Sequence, residues 1–198
     1  MHPETTNYQK FQTSNPVVRR LLDNFFETIK RRLGSGFEGH LLDAGCGEGL
    51  VLHRMGSLLP KQVSAFDINP DCVAYVKAQW PGVQVSVQDI YNLPYADGEF
   101  DLVLCLEVLE HLSEPEKALA ELKRVSSGRL ILSVPYEPWF QLGSLLRGKY
   151  IRSFGNHPEH VNHWSPKTFR AFLENVFERV MIETSFPWII AEVDNRNA

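Results

Sequence analysis

Leu41-Leu42-Asp43-Ala44-Gly45-Cys46-Gly47-Glu48-Gly49 carries an apolar pair into a carboxylate and then three glycines at alternate positions, before helical apolar spacing begins at Leu50. The order predicts a strand, a tight turn and a helix start. Glycine adopts positive φ readily and has no Cβ to hold another molecule away, so a ligand can lie against this turn's backbone. The turn also opens a helix, whose first N–H groups lack intrahelical partners and face whatever lies before them. Steric closure of an αβ unit is the plain alternative account of the glycines, so this stretch alone leaves both readings open.

Spacing narrows the choice. A dinucleotide fingerprint places its third glycine beside the pyrophosphate it must accommodate, whereas here Leu50 and Val51 follow Gly49, and an acid, Asp43, precedes the turn. A carboxylate in that place suits a cationic ligand better than a pyrophosphate. From Leu42 to Gly49 the chain resembles the first motif of the class I S-adenosylmethionine-dependent methyltransferases. The resemblance implies a methyl donor with a sulfonium centre, an ammonium group and no phosphate. Gly45 and Gly47 would hold that donor, with Asp43 supporting its amino acid moiety.

The following elements extend the likeness. Gln62 to Phe66 reads as a second strand ending at Asp67, and Asn69 with Pro70 at the first helical position is a helix start. An acid at that strand end can accept from both hydroxyls of a ribose; a strand-end or capping aspartate is the plain alternative. Val83, Val85 and Val87 alternate as a third strand that stops at Gln88-Asp89-Ile90. In the family resembled, an acid here bonds the adenine amino group and the next residue flanks the ring, which Asp89 and Ile90 match. An aspartate in a loop is otherwise a turn former. Ile68 and Leu106 complete the donor set that the resemblance implies. Leu93-Pro94-Tyr95-Ala96-Asp97-Gly98-Glu99-Phe100-Asp101 is also similar to these enzymes, so the likeness covers roughly residues 40 to 112, a more specific signal than one glycine motif.

The rest of the chain reads as one continuous α/β pattern. Residues 1–15 lack periodicity and read as an arm, in which Tyr8 and Phe11 are candidates to line a lid. From Pro16, Val17, Val18, Leu21, Leu22, Phe25, Phe26, Ile29 and Leu33 repeat at helical spacing until Gly34-Ser35-Gly36. Phe100 to Leu104 reads as a buried strand. Ser113 to Glu116 reads as a capping box for a helix through Ala118, Leu119, Leu122 and Val125, and Arg129 to Val134 as the fifth strand. Pro138 to Gly148 suggests a short helix, Ser165-Pro166 starts another, and Phe177 to Thr184 with Trp188 to Val193 reads as a final pair of strands. The expected fold is a Rossmann-like, doubly wound seven-stranded sheet, mainly parallel, with a C-terminal antiparallel hairpin and ligands outside the strand carboxyl ends. One methyltransferase domain over 1–198 is expected, divided into an arm and helix (1–36), a cofactor-binding core (37–135) and an acceptor-side segment with the final strands (136–198).

Composition limits the functions open to such a fold. The net charge of -4 gives no bulk attraction to nucleic acid, although Arg147, Lys149 and Arg152 form a local basic group. Cys46, Cys72 and Cys105 are odd in number and show no CxxC spacing, which suits reduced thiols. With no apolar signal region and no run of membrane length, a cytoplasmic location is expected.

Methyl transfer from a sulfonium mainly requires alignment of donor and acceptor, with removal of a proton where the acceptor is a hydroxyl or ammonium. Glu107, Glu110 and His111 stand at i, i+3 and i+4 and would share one face of a helical turn. Two carboxylates and an imidazole could hold a divalent cation such as Mg²⁺. The arrangement resembles those of the RNA 2'-O-methyltransferases acting on small-RNA 3' ends and of the ubiquinone-pathway O-methyltransferases. That resemblance implies His160 as the fourth ligand, from a loop that also holds His157 and His163. Two further readings stand beside it: His111 as base or acceptor contact, or purely structural roles. Tyr136, Trp139, Phe140, Tyr150 and Trp164 suit an aromatic-walled pocket for a small acceptor. The expected function is S-adenosylmethionine-dependent O-methylation of a small molecule. The alternatives are RNA 2'-O-methylation, against which the acidic balance argues, and a donor-binding domain without catalysis.

Overall fold

The computed structural model describes residues 14–137 and 161–196. The expected helix at 138–148, Tyr8, Phe11, Trp139, Phe140, Tyr150, the basic group at 147–152, His157 and His160 lie outside the described residues.

Helix α1 (Pro16–Leu33) starts where Asn15 accepts the Val17 N–H at 2.9 Å and Pro16 occupies the first turn. It ends where Gly34, at φ 81°, returns its N–H to the Lys30 carbonyl. Leu22, Phe25, Phe26, Ile29 and Leu33 form its buried stripe. Each contributes roughly 2 kcal/mol of gross apolar burial, an upper bound because a denatured chain already buries part of that surface.

Strands β1 (His40–Ala44), β2 (Gln62–Asp67), β3 (Gln84–Val87), β4 (Phe100–Leu106), β5 (Ser126–Pro135), β6 (Arg179–Ser185) and β7 (Trp188–Asp194) form one sheet in the order β3-β2-β1-β4-β5-β7-β6. The first five run parallel, β7 lies antiparallel to β5, and β6 is antiparallel to β7. Between them run α2 (Leu50–Met55), α3 (Pro70–Gln79), α4 (Pro115–Val125) and α5 (Pro166–Glu174). A parallel sheet needs apolar cover on both faces, and alternate side chains of β1 supply both: Leu41 packs with Ile29 and Leu52, and Leu42 with Val103 and Leu119.

Helix α4 departs from expectation. Pro115 occupies its first turn and Glu114 its N-cap, with no side-chain cap bond, so no Ser113–Glu116 capping box forms. A helix opening at Pro115 puts Glu116 one position short of the one a box requires. The Tyr91 hydroxyl accepts the Glu114 N–H at 3.2 Å instead. A reciprocal capping box does form at α5, between Ser165 and Thr168.

Strand order reverses between β1 and β4, which opens a crevice at their carboxyl ends, where open α/β sheets take ligands.

Candidate functional site

At the end of β1 the chain turns through Gly45 (φ 74°) and Gly47 (φ 51°), both in the left-handed region. The Gly45 and Cys46 N–H groups donate to the Phe66 carbonyl at 2.9 Å, fixing the turn to the end of β2. The two glycines serve different needs. A Cβ on Gly45 would stand 2.5 Å from Val108 Cγ2, so absence of a side chain there lets the segment after β4 close against the turn. A Cβ on Gly47 would meet nothing within 4 Å, so that face of the backbone is open.

Asp67, at the end of β2, joins the turn to this edge. Its Oδ2 accepts the Gly47 N–H and its Oδ1 the Asn69 N–H, each at 2.8 Å. A carboxylate has roughly four acceptor positions, and these bonds use half of them. The remainder can receive a vicinal diol. Two exposed apolar residues stand near it in the chain and the sheet: Ile68, 67% exposed, follows Asp67, and Val87 pairs with it in register. Asp89 accepts the Tyr91 N–H at 3.0 Å in a tight turn. Ile90 is buried in the apolar layer with Leu42, and Leu106 ends β4 on the opposite layer.

Asp43 lies beneath the turn and is only 2% exposed. Burial first, and the nearby Asp67 carboxylate second, push its carboxyl up to about 7. Its Oδ2 has no hydrogen-bond partner. A buried, unpartnered carboxyl oxygen under an open glycine turn suits a ligand that brings positive charge or donor groups. Together with the bare backbone at Gly47 and the open acceptor positions of Asp67, this chemistry fits S-adenosylmethionine. The three cysteines are buried and free, and burial pushes each thiol up, Cys72 to about 12, so all are neutral at pH 7.

The acceptor side corrects one geometric expectation. Glu107, Glu110 and His111 do not share a helical face, because Glu107 sits at φ 60° in the link after β4 and the 3-10 turn spans only Leu109–His111. Glu107 Oε1 accepts from Ser133 Oγ at 2.9 Å and its Oε2 from the Trp188 indole N–H at 2.8 Å. Glu110 is 1% exposed, with Oε1 3.8 Å from His111 Nε2. No group of three or more His, Cys, Asp or Glu side chains converges as a metal site among the described residues. His163 lies 4.0 Å from the buried Glu137 instead. Segment 161–164 docks alongside: the Val161 and Asn162 N–H groups donate to the Glu110 carbonyl, and the Glu137 N–H donates to that of Trp164.

Sequence reasoning missed Ser133 and Trp188 as partners of Glu107. They reach it from β5 and β7, 26 and 81 residues away in the chain, and no local spacing announces such a contact.

In fold and in sequence this chain is similar to S-adenosylmethionine-dependent methyltransferases. Residues 42–132 match the methyltransferase domain family Methyltransf_11. The "Probable S-adenosylmethionine-dependent methyltransferase" of Mycobacterium tuberculosis is 34% identical over 105 residues, 52% of this chain and 38% of that protein. Norajmaline N-methyltransferase of Rauvolfia serpentina is 37% identical over 94 residues, 44% of this chain and 32% of that one. The matches thus span less than half the length of these curated relatives. Among solved structures, magnesium protoporphyrin IX methyltransferase of Synechocystis PCC 6803 with bound SAH has the same fold, at TM-score 0.68 and 19% identity over 98% of this chain and 95% of that one.

Proposed function

We propose that this protein transfers the methyl group of S-adenosylmethionine to an oxygen of a small-molecule acceptor. The observation that carries the reading is the joined pair Gly47 and Asp67, an open backbone face bonded at 2.8 Å to a carboxylate with room for a diol. Gly45 and Gly47 bear the donor's amino acid end, with Asp43 beneath it. Asp67 takes the ribose, while Ile68, Asp89, Ile90 and Leu106 surround the base. The donor supplies a methyl carbon already bearing a good leaving group, so this chain's task is to align the acceptor and receive its proton. His111, at the exposed end of its 3-10 turn, is the candidate to contact that acceptor or take the proton.

A small acceptor is supported by the half-buried aromatics Tyr136 and Trp164, which join β5 to the 161–164 segment, and by the net charge of -4. The reading routes no step through a divalent metal; the two Glu107 oxygens accept from the Ser133 hydroxyl and the Trp188 indole N–H. The cytoplasm, where thiols stay reduced, suits the three free cysteines.

The test is calorimetry with S-adenosylmethionine and its demethylated product, followed by a labelled-donor assay on fractionated cell extract with and without chelator. Binding of both ligands, and chelator-insensitive label in a small-molecule fraction, is the expected result. Label in RNA, or binding of a nicotinamide dinucleotide in place of the donor, refutes the reading.

A further inference from the structure

A single 3-10 turn is a weak element by itself, and the one at Leu109–His111 is held from outside. Its own bonds run from the His111 N–H to the Val108 carbonyl at 3.0 Å and from the Leu112 N–H to the Leu109 carbonyl at 3.3 Å. The rest come from far along the chain. The side-chain amide of Asn162 donates to the Leu109 carbonyl at 3.0 Å and to the Leu112 carbonyl at 2.6 Å, 53 and 50 residues away. Between these two bonds, the backbone N–H groups of Val161 and Asn162 both donate to the Glu110 carbonyl, at 2.9 and 3.1 Å. Three carbonyls of the turn thus receive donors from two adjacent residues, and a primary amide, with two N–H groups on one nitrogen, is suited to span the outer pair. The clamped turn lies between two parts of the site. Just before it, Val108 lies against Gly45 of the donor turn. Just beyond Asn162, Trp164 bridges to Tyr136 after β5 and packs on Phe169 and Phe172 of α5, with ring centroids 5.5 and 4.8 Å apart.

We propose that Asn162 is a positioning residue for the methyl acceptor, its amide holding the Leu109–His111 turn in register with the donor turn. The proposal rests on the methyltransferase reading and deepens it by naming what keeps the two sides of the site together. Asn162 acts through the turn, which carries the exposed His111. Without the amide bonds the two backbone donors to Glu110 remain, so the turn persists but visits other positions. An acceptor then finds only a fraction of molecules with the turn in place, and the amount needed for half-saturation rises by the inverse of that fraction. Saturating acceptor draws the turn back, so the rate at saturation is kept. Donor binding rests on the Gly47 backbone and Asp67 and is kept as well.

The experiment uses the full chain, calorimetry with S-adenosylmethionine, and labelled transfer to the small-molecule fraction of a cell extract supplied at a series of dilutions. Asn162→Ala removes the amide. Asn162→Asp keeps its size and shape but sets an oxygen against two carbonyls, so it is expected to be at least as damaging as the alanine. Both variants are expected to bind donor within about threefold of wild type, to need about tenfold more acceptor fraction for half-saturation, and to reach a plateau rate within about threefold of wild type. The donor calorimetry also shows that each variant is folded. The proposal is overturned if half-saturation stays within about twofold of wild type in both variants, if the plateau rate falls tenfold with half-saturation unchanged, or if donor affinity falls in step with transfer. It is also overturned if Asn162→Asp behaves as wild type while Asn162→Ala does not, since packing alone would then be the role of the side chain. A wild-type chain that binds donor and labels nothing overturns it too. Failure of the wild type to bind donor at all refutes the underlying methyltransferase reading instead.

Discussion

Asp43 makes this fold pH-sensitive in the opposite sense to most acids. Its carboxyl stands at 3.8 in an open chain and at about 7 in the folded protein, because burial and Asp67 both penalise the charge. Between those values the folded state holds more protons than the unfolded one, so stability falls as pH rises from about 4 to about 7 and then levels off. Each pKa unit is worth about 1.36 kcal/mol, so the cost approaches about 4 kcal/mol above neutrality. By linkage about 1.7 kcal/mol of it is already present at pH 5, leaving about 2.5 kcal/mol to develop between pH 5 and pH 8. Asp43→Asn has the same shape and no charge. Placing an amide there has its own fixed cost, but that cost is the same at both pH values and cancels in the comparison. The assay is urea unfolding of wild type and variant at pH 5 and pH 8. The variant should gain on the wild type by about 2 to 3 kcal/mol between the two conditions. A stability difference that stays constant within about 0.5 kcal/mol would show that the folded protein solvates or pairs this carboxyl, and the buried-acid account would be wrong.

Three further outcomes follow from the geometry. Gly45→Ala adds a Cβ 2.5 Å from Val108 at φ 74° and should lower stability by about 2 to 4 kcal/mol in a urea melt, whereas Gly47→Ala meets open space. The Gly47 variant should lose only about 1 kcal/mol of stability, with the larger deficit in calorimetric affinity for S-adenosylmethionine; equal melts for the two variants would contradict the division of roles. Asp67→Asn removes the charge that accepts the Gly47 and Asn69 N–H groups. It should weaken donor affinity by about 10- to 100-fold, and unchanged affinity would remove Asp67 from the site. Arg32→Ala breaks the ion pairs to Glu183 and Glu192 far from the crevice, with Arg129 still beside Glu192. A loss of about 1 to 2 kcal/mol with donor affinity unchanged is expected, and a change in affinity would reveal a coupling the structure does not suggest.

Much of this fold is legible in local pattern because its elements announce their own ends. Asn15-Pro16 and Asn69-Pro70 open helices, Gly34 closes one, and the apolar run at Phe100 has the composition of a strand buried on both faces. The residues expected on the donor side share one feature of that pattern. Asp43, Gly45, Gly47, Asp67 and Asp89 each stand where a parallel strand stops, and parallel strands that start together deliver their ends to one edge. The helical face expected of Glu107, Glu110 and His111 does not form, because their spacing presupposes helical backbone and the backbone at Glu107 is left-handed.

Local sequence determined what could be settled within one turn of chain: where strands end, which glycines open a turn, and which acids stand beside it. Tertiary structure alone decided what those acids experience. Asp43 is raised by burial first and by a carboxylate on another strand second, and Glu107 is captured by a hydroxyl on β5 and an indole on β7. Side-chain charge state and aim are set by desolvation and by hydrogen bonds from distant parts of the chain, and neither leaves a mark in the spacing of nearby residues.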